Sequence, residues 1–151
     1  MKNLPTQTDQ PKKITVLMVD DNVGIRKSLC AILEAEGNFE IIGQAKDGRK
    51  AVAMAHTLRP DVILMDIAMP VLNGLEATLQ IIAANPLAKV LILSAHDDDA
   101  YLKRGVEIGA MGFLQKLTAS EILAGAIREV VKGKFFFSPA IAKRMAADSW
   151  K

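Results

Sequence analysis

The chain is short of the residues that would assign it to several large classes of protein. Among 151 residues there are one cysteine, two histidines and one tryptophan, and aromatic residues make up only 5%. A lone cysteine excludes an internal disulfide framework and a multi-cysteine metal site. Cys30 sits within an apolar helical pattern and reads as a packed core thiol. No hydrophobic run approaches the roughly 20 residues of a membrane helix, and the N-terminus lacks the apolar stretch of a secretory signal. The expectation is a soluble cytoplasmic protein with no membrane partner. Charge of one sign is scarce as well. Residues 1–13 hold three lysines against one aspartate, a net of +2; residues 14–133 hold 12 basic and 15 acidic side chains, a net of −3; residues 134–151 hold four basic against one acidic, a net of +3. The basic excess lies at the ends and forms no continuous cationic surface, so no direct nucleic-acid binding is expected of this chain alone.

What is present is a globular composition, 50% apolar and 24% charged, of a length suited to one domain with a real core. Residues 1–13 are polar and read as a flexible extension. Five short apolar runs then read as strands: Ile14–Val19, Phe39–Ala45, Val62–Met65, Val90–Leu93 and Gly112–Leu114. Each is followed by a segment with helical spacing. These run from Val23 to Glu36 behind Asn22 as cap, from Asp47-Gly48 to Leu58 with Pro60 as stop, from Leu75 to Ala84, from the Asp97-Asp98-Asp99 triplet to Ile108, and from Ser120-Glu121 to Gly133. Strand–helix alternation with short links predicts an α/β fold, a doubly wound five-stranded parallel sheet in the order 2-1-3-4-5 with five helices. Apolar strand runs imply that both sheet faces are covered. Residues 134–151 differ. Phe135-Phe136-Phe137 is an aromatic run too sticky to stand in water, and is expected to dock on the domain or on a partner. Ser138-Pro139 is a cap followed by Pro at the first helical position, so a short helix or a linker follows.

The predicted topology gathers Asp20 and Asp21, at the end of the first strand, with Asp66, at the end of the third. Three carboxylates together repel, and their pKa values rise unless a cation joins them. Two cations are candidates: a hard divalent metal with oxygen ligands, and Lys116 just beyond the fifth strand. Ser94, at the end of the fourth strand, adds a hydroxyl. Acids, a hydroxyl, a lysine and a metal suit phosphoryl transfer, in which an aspartate can itself accept the group as an acyl phosphate.

These residues carry a resemblance. Val19-Asp20-Asp21, the run Met65–Gly74 (MDIAMPVLNG), Leu93-Ser94-Ala95 and Gly109–Lys116 (GAMGFLQK) resemble the receiver, or phosphoacceptor, domain of two-component response regulators, with its flavodoxin-like fold, over residues 14–133. The resemblance implies that Asp66 is phosphorylated by a sensor histidine kinase or phosphotransfer protein. It implies that Asp21 and Asp66 ligate magnesium, or manganese, together with the backbone carbonyl of Ala68, and that Asp20 assists through water. Ser94 and Lys116 then bind the phosphoryl group, and Ser94 and Phe113 form the switch. Homodimers through helix 4, strand 5 and helix 5, or through helices 1 and 5, occur in such domains.

Leu117 stands where many receivers have a cis proline, so the Lys116–Leu117 bond is expected to be trans. His96, two residues past Ser94, is a candidate for tuning phosphoryl lifetime, against a plain exposed loop histidine. The tail resembles that of nitrate/LuxR-type transcription regulators, in which it leads to a helix-turn-helix DNA-binding domain. The chain thus reads as the receiver part of such a regulator, with a stand-alone or phosphate-independent receiver as the alternative. A phosphatase with an aspartyl nucleophile is disfavoured, because Ala68 stands where such enzymes place a second carboxylate.

Overall fold

The computed structural model describes residues 12–95, 99–116 and 118–146. Each apolar run forms a strand: β1 (Ile14–Val19), β2 (Phe39–Ala45), β3 (Val62–Asp66), β4 (Val90–Ser94) and β5 (Gly112–Gln115). The helices between and after them are α1 (Val23–Glu36), α2 (Gly48–Leu58), α3 (Gly74–Ala84), α4 (Asp99–Ile108) and α5 (Ala119–Val131). Side-chain caps start three of them. Asn22 Oδ1 accepts from the N–H of Ile25 at 3.0 Å, Asp47 Oδ1 from Lys50 at 2.8 Å, and Asn73 Oδ1 from Glu76 at 2.9 Å. Each satisfies an amide that the first helical turn leaves without an intrahelical acceptor.

All pairings are parallel, in the order β2-β1-β3-β4-β5 predicted from sequence. Alternate residues of the central strands point to opposite faces. Val16, Met18, Leu64 and Leu91 pack with Leu29 and Leu33 of α1 and Leu123 and Ile127 of α5. Leu17, Val19, Ile63 and Ile92 pack with Ala51 of α2, Ile81 of α3 and Leu102 of α4. Cys30 is buried in the first of these layers, and burial pushes its thiol pKa up, as expected of a core thiol. No helix among the described residues is long and apolar enough to cross a membrane.

The sheet has six strands, which corrects the expected five. A further strand, β6 (Phe136–Phe137), runs parallel along the outer edge of β5, and a sixth helix, α6 (Pro139–Ala146), follows it. The physical reason is twofold. The edge of β5 would otherwise expose unpaired backbone groups. Instead the N–H groups of Phe136 and Ser138 donate to the carbonyls of Met111 and Phe113, each at 3.0 Å. The aromatic run also finds cover: Phe136 packs on the α1/α5 layer and Phe137 on the opposite one, while Phe135 stays 65% exposed. Phe136 and Phe137 therefore dock on their own domain, whereas Phe135 does not. His96, Asp97, Asp98 and the Lys116–Leu117 bond lie outside the described residues.

Candidate functional site

The C-terminal ends of β1, β3, β4 and β5 meet at one edge of the sheet. Register places Val19 beside Met65, Asp66 beside Leu93, and Ser94 beside Gln115. The next residue on β1 is therefore Asp20, next to Asp66, and the next on β5 is Lys116. The N–H of Lys116 donates to the carbonyl of Ser94 at 3.0 Å, which anchors the lysine at the strand end. Its Nζ lies 2.9 Å from Asp20 Oδ2 and 3.0 Å from Asp66 Oδ1. One ammonium thus bridges two buried carboxylates, with Asp20 0% and Asp66 3% exposed.

Asp21 completes the acidic group from the exposed rim. One carboxylate oxygen each from Asp20, Asp21 and Asp66 lie within 4.8 Å of one another. Burial pushes the Asp66 carboxyl above its usual range. Lys116 pulls it down, Asp20 and Asp21 push it up, and the net shift is upward. For Lys116, burial alone would lower the pKa, but hydrogen bonds to Asp20 and Asp66 outweigh it and the ammonium is held more firmly than usual. An all-oxygen cluster with more acids than lysine charge, open on the Asp21 side, suits a hard divalent cation such as magnesium.

The loop after β3 is set by tight backbone contacts. The N–H of Gly74 donates to the Ile67 carbonyl at 2.8 Å, and a Cβ at Gly74 would lie 1.9 Å from the Asp66 carbonyl oxygen. Only glycine lets the loop return this closely to Asp66. The N–H of Leu72 donates to the Pro70 carbonyl at 2.7 Å around Val71, which has φ 70°. Ala68 is exposed at the rim of the acidic cluster, two residues past Asp66. Ser94 is 6% exposed at the end of β4. Phe113 is buried on β5 three residues before Lys116, away from the carboxylates, and borders a small gap shared with Ser94. The structure thus brings Asp20, Asp21, Asp66 and Lys116 together, places Ser94 and Ala68 at the same strand ends, and sets Phe113 behind them.

Arg26 was not apparent from sequence. Its Nη1 donates to the Asp20 carbonyl at 2.6 Å and its Nε to Gln44 Oε1 at 3.2 Å. It therefore ties α1 and β2 to the loop that carries the acids. A lone arginine on the polar side of a helix gives no signal in one dimension.

Comparison with known proteins agrees with this geometry. The family model described as the response regulator receiver domain matches residues 16–128. The chain is 38% identical over 133 residues to the transcriptional regulatory protein DegU of Brevibacillus brevis, covering 88% of this chain and 56% of that protein. It is 35% identical over 132 residues to the response regulator protein VraR of Staphylococcus aureus, covering 87% of this chain and 63% of that protein. The chain therefore spans less than two thirds of the length of these relatives. Among solved structures, a LuxR-family two-component response regulator from Aurantimonas sp. SI85-9A1 superposes with a TM-score of 0.87 at 26% identity, covering 93% of this chain and all of that one. The signal receiver domain of the putative response regulator NarL from Mycobacterium tuberculosis gives 0.79 at 30% identity, covering 82% of this chain and 100% of the other. A receiver model matched across all five expected strands, above an acidic cluster bridged by one lysine, places this chain in the response regulator receiver domain family, whose members are signalling domains rather than metabolic enzymes.

Proposed function

We propose that this chain is a phosphorylation switch in which Asp66 accepts a phosphoryl group from a histidine kinase or phosphotransfer protein. The observation that carries the reading is the Lys116 ammonium, held between Asp20 Oδ2 and Asp66 Oδ1 at the mouth of the sheet. An Asp66 oxygen attacks phosphorus. An O–P bond forms, and the P–N bond of the donor phosphohistidine breaks, with its electrons leaving on the imidazole. Burial raises the basicity of the attacking carboxylate, and Lys116 helps keep it ionised. In the product Lys116 binds a phosphoryl oxygen and the Ser94 hydroxyl donates to another. Asp21, Asp66 and the Ala68 carbonyl would hold magnesium, with Asp20 acting through water, and the ion would neutralise charge on the phosphoryl oxygens.

Residues 14–133 form the receiver unit in this reading, and residues 134–151 lead toward an output domain. In the whole regulator that domain binds DNA, a reading supported by similarity to DegU, a transcriptional regulatory protein. A homodimer through α1 and α5 leaves the tail in place, whereas one through α4, β5 and α5 has to displace β6 from the edge of β5.

Intact mass after treatment with acetyl phosphate tests the reading. The expected result is one phosphate-sized gain that needs magnesium, is labile to hydroxylamine and is lost in Asp66→Asn. A gain retained in that variant would move the acceptor elsewhere. No gain, together with no magnesium binding, would leave a phosphate-independent interaction module.

A further inference from the structure

A cavity of about 150 Å³ lies between α2 and α3, and the phosphorylation chemistry uses none of its residues. Its floor is Ile63, near the start of β3, and Ile81 of α3, both buried. Asp66 closes the same strand three residues further on, roughly 10 Å away along the backbone. Small residues leave the space open. Ala55 of α2, Ala84 of α3 and Ala88, in the link to β4, each border it with a single methyl group. Elsewhere this layer is filled by larger side chains such as Leu17, Val19 and Ile92. Arg59 ends α2 in the left-handed region, at φ 48°, with its N–H donating to the Ala55 carbonyl at 3.1 Å, and the turn brings Pro60 into the wall. Protein interiors are packed closely enough that an empty space of this size is uncommon.

The mouth of the cavity is polar. His56 and Arg59 border it from the end of α2, and both are exposed. Among the described residues no carboxylate pairs with Arg59. The acid nearest to it in sequence, Asp61, is committed to β1: its Oδ2 accepts from the N–H of Thr15 at 2.8 Å, and its own N–H donates to Thr15 Oγ1 at 2.8 Å. From the end of α3 comes Asn85, half-buried, whose Oδ1 accepts from the N–H of Leu87 at 3.1 Å. That bond takes up the carbonyl end of the amide, so the NH2 is the end left to donate to a ligand.

An apolar cavity of about 150 Å³ admits a benzene ring, whereas drug-sized ligands need roughly 300 Å³ or more. The fitting occupant is therefore one ring. A guanidinium and an amide donor at the mouth call for negative charge on that ring. We propose that this cavity is a binding site for a small aromatic carboxylate, with its ring on Ile63 and Ile81 and its carboxylate at the mouth with Arg59 and Asn85. The side chains of Phe and Tyr carry no such charge, so the free acid suits the site better than an aromatic side chain of another protein. The site does not depend on Asp66 as phosphoacceptor.

The test titrates the whole chain with benzoate, the simplest member of this class, and follows the amide signals by NMR. The expected result is saturable shifts at Ile63, Ile81, Ala84 and Asn85, with a dissociation constant of about 1 mM or tighter. Acetate, which lacks the ring, should bind at least about tenfold more weakly. Benzamide, which keeps the ring and loses the charge, should bind at least about threefold more weakly, and Arg59→Gln should remove that preference. Ala55→Leu, or Ala84→Leu should the first not fold, fills the space and should abolish benzoate binding. No saturable shift at the cavity would overturn the proposal, and so would benzoate binding retained in the filled variant, which places the ring elsewhere. Equal binding of acetate would overturn it by reducing the mouth to a patch for any anion. Equal binding of benzamide would overturn it by making the cavity a socket for an uncharged ring, such as a partner's aromatic side chain.

Discussion

Burial strips Asp66 of solvent while Asp20 and Asp21 repel its charge, and Lys116 offsets this only in part, so the carboxyl titrates above its usual range. The consequence for stability has a definite sign. Between the unfolded pKa, about 3.9, and the higher folded value, the native state holds a proton that the unfolded chain has shed. Stability contributed by this residue therefore falls as pH rises through that window and stays lower above it. Asp66→Asn should stabilise the metal-free protein at pH 7 by more than the ~0.5 kcal/mol scatter of surface substitutions, and the gain should vanish below about pH 4. Urea denaturation at the two pH values checks this; an equal gain at both would mean that ionisation is not its source. Val71 is a second residue under local strain. A β-branched side chain at φ 70°, 68% exposed, has no packing that calls for it, and a three-residue turn with positive central φ is the less stable form. Asn tolerates this region better, so Val71→Asn should raise stability by about 1 kcal/mol, read as a higher urea midpoint at unchanged slope.

At the scale of elements, the β3–α3 connection is the most constrained piece of backbone. Gly74 both starts α3 and lets the chain pass against the Asp66 carbonyl, so an added methyl must push the strand end that carries Asp66. Gly74→Ala should cost at least about 2 kcal/mol and weaken magnesium binding together with it, measured by denaturation and by metal titration of the same sample. Loss of stability with native metal affinity would show that the loop moves without moving Asp66. The glycine stood in sequence at the end of the Met65–Gly74 run, but its contact was not legible, because the contact depends on where the strand end lies in space. The same distinction governs the rest of the fold. β1 was legible because six consecutive apolar and β-branched residues leave little choice, β2 because Phe39, Ile41 and Ile42 lie close together, and Asn22 and Asp47 marked helix starts because their side chains cap locally. β6 was not legible: two residues have no period, and Phe136 and Phe137 form a strand only because the edge of β5 is there to receive them. Asp20, Asp21, Asp66 and Lys116 could be brought together from sequence because parallel topology fixes strand ends. Arg26 escaped notice because its partner at the acidic loop is a backbone carbonyl, which every residue possesses.

At the scale of the molecule, the acidic cluster joins parts of the chain that are far apart in sequence. Asp20 and Asp21 follow β1, Asp66 ends β3, and the lysine that bridges two of them follows β5. Unfolding separates all of these, so a cation that needs Asp21 and Asp66 together binds only the native state. Binding of that kind stabilises by mass action. At 100 times the dissociation constant the gain is about 2.7 kcal/mol, which for a chain of this size shifts the melting temperature by roughly 5–10 °C. Magnesium should therefore raise the melting temperature by an amount in this range, increasing with the logarithm of its concentration once the site is saturated. Asp21→Asn separates site from scaffold, because Asp21 is exposed and the substitution removes a ligand without leaving a hole in the core. It should leave the metal-free melting temperature nearly unchanged and abolish most of the magnesium-dependent rise. A rise of equal size in the variant would place the ion elsewhere on the surface. A large fall in the metal-free melting temperature would instead make Asp21 a structural part of the β1–α1 loop. The two readings predict opposite patterns in one pair of melting curves, with and without magnesium.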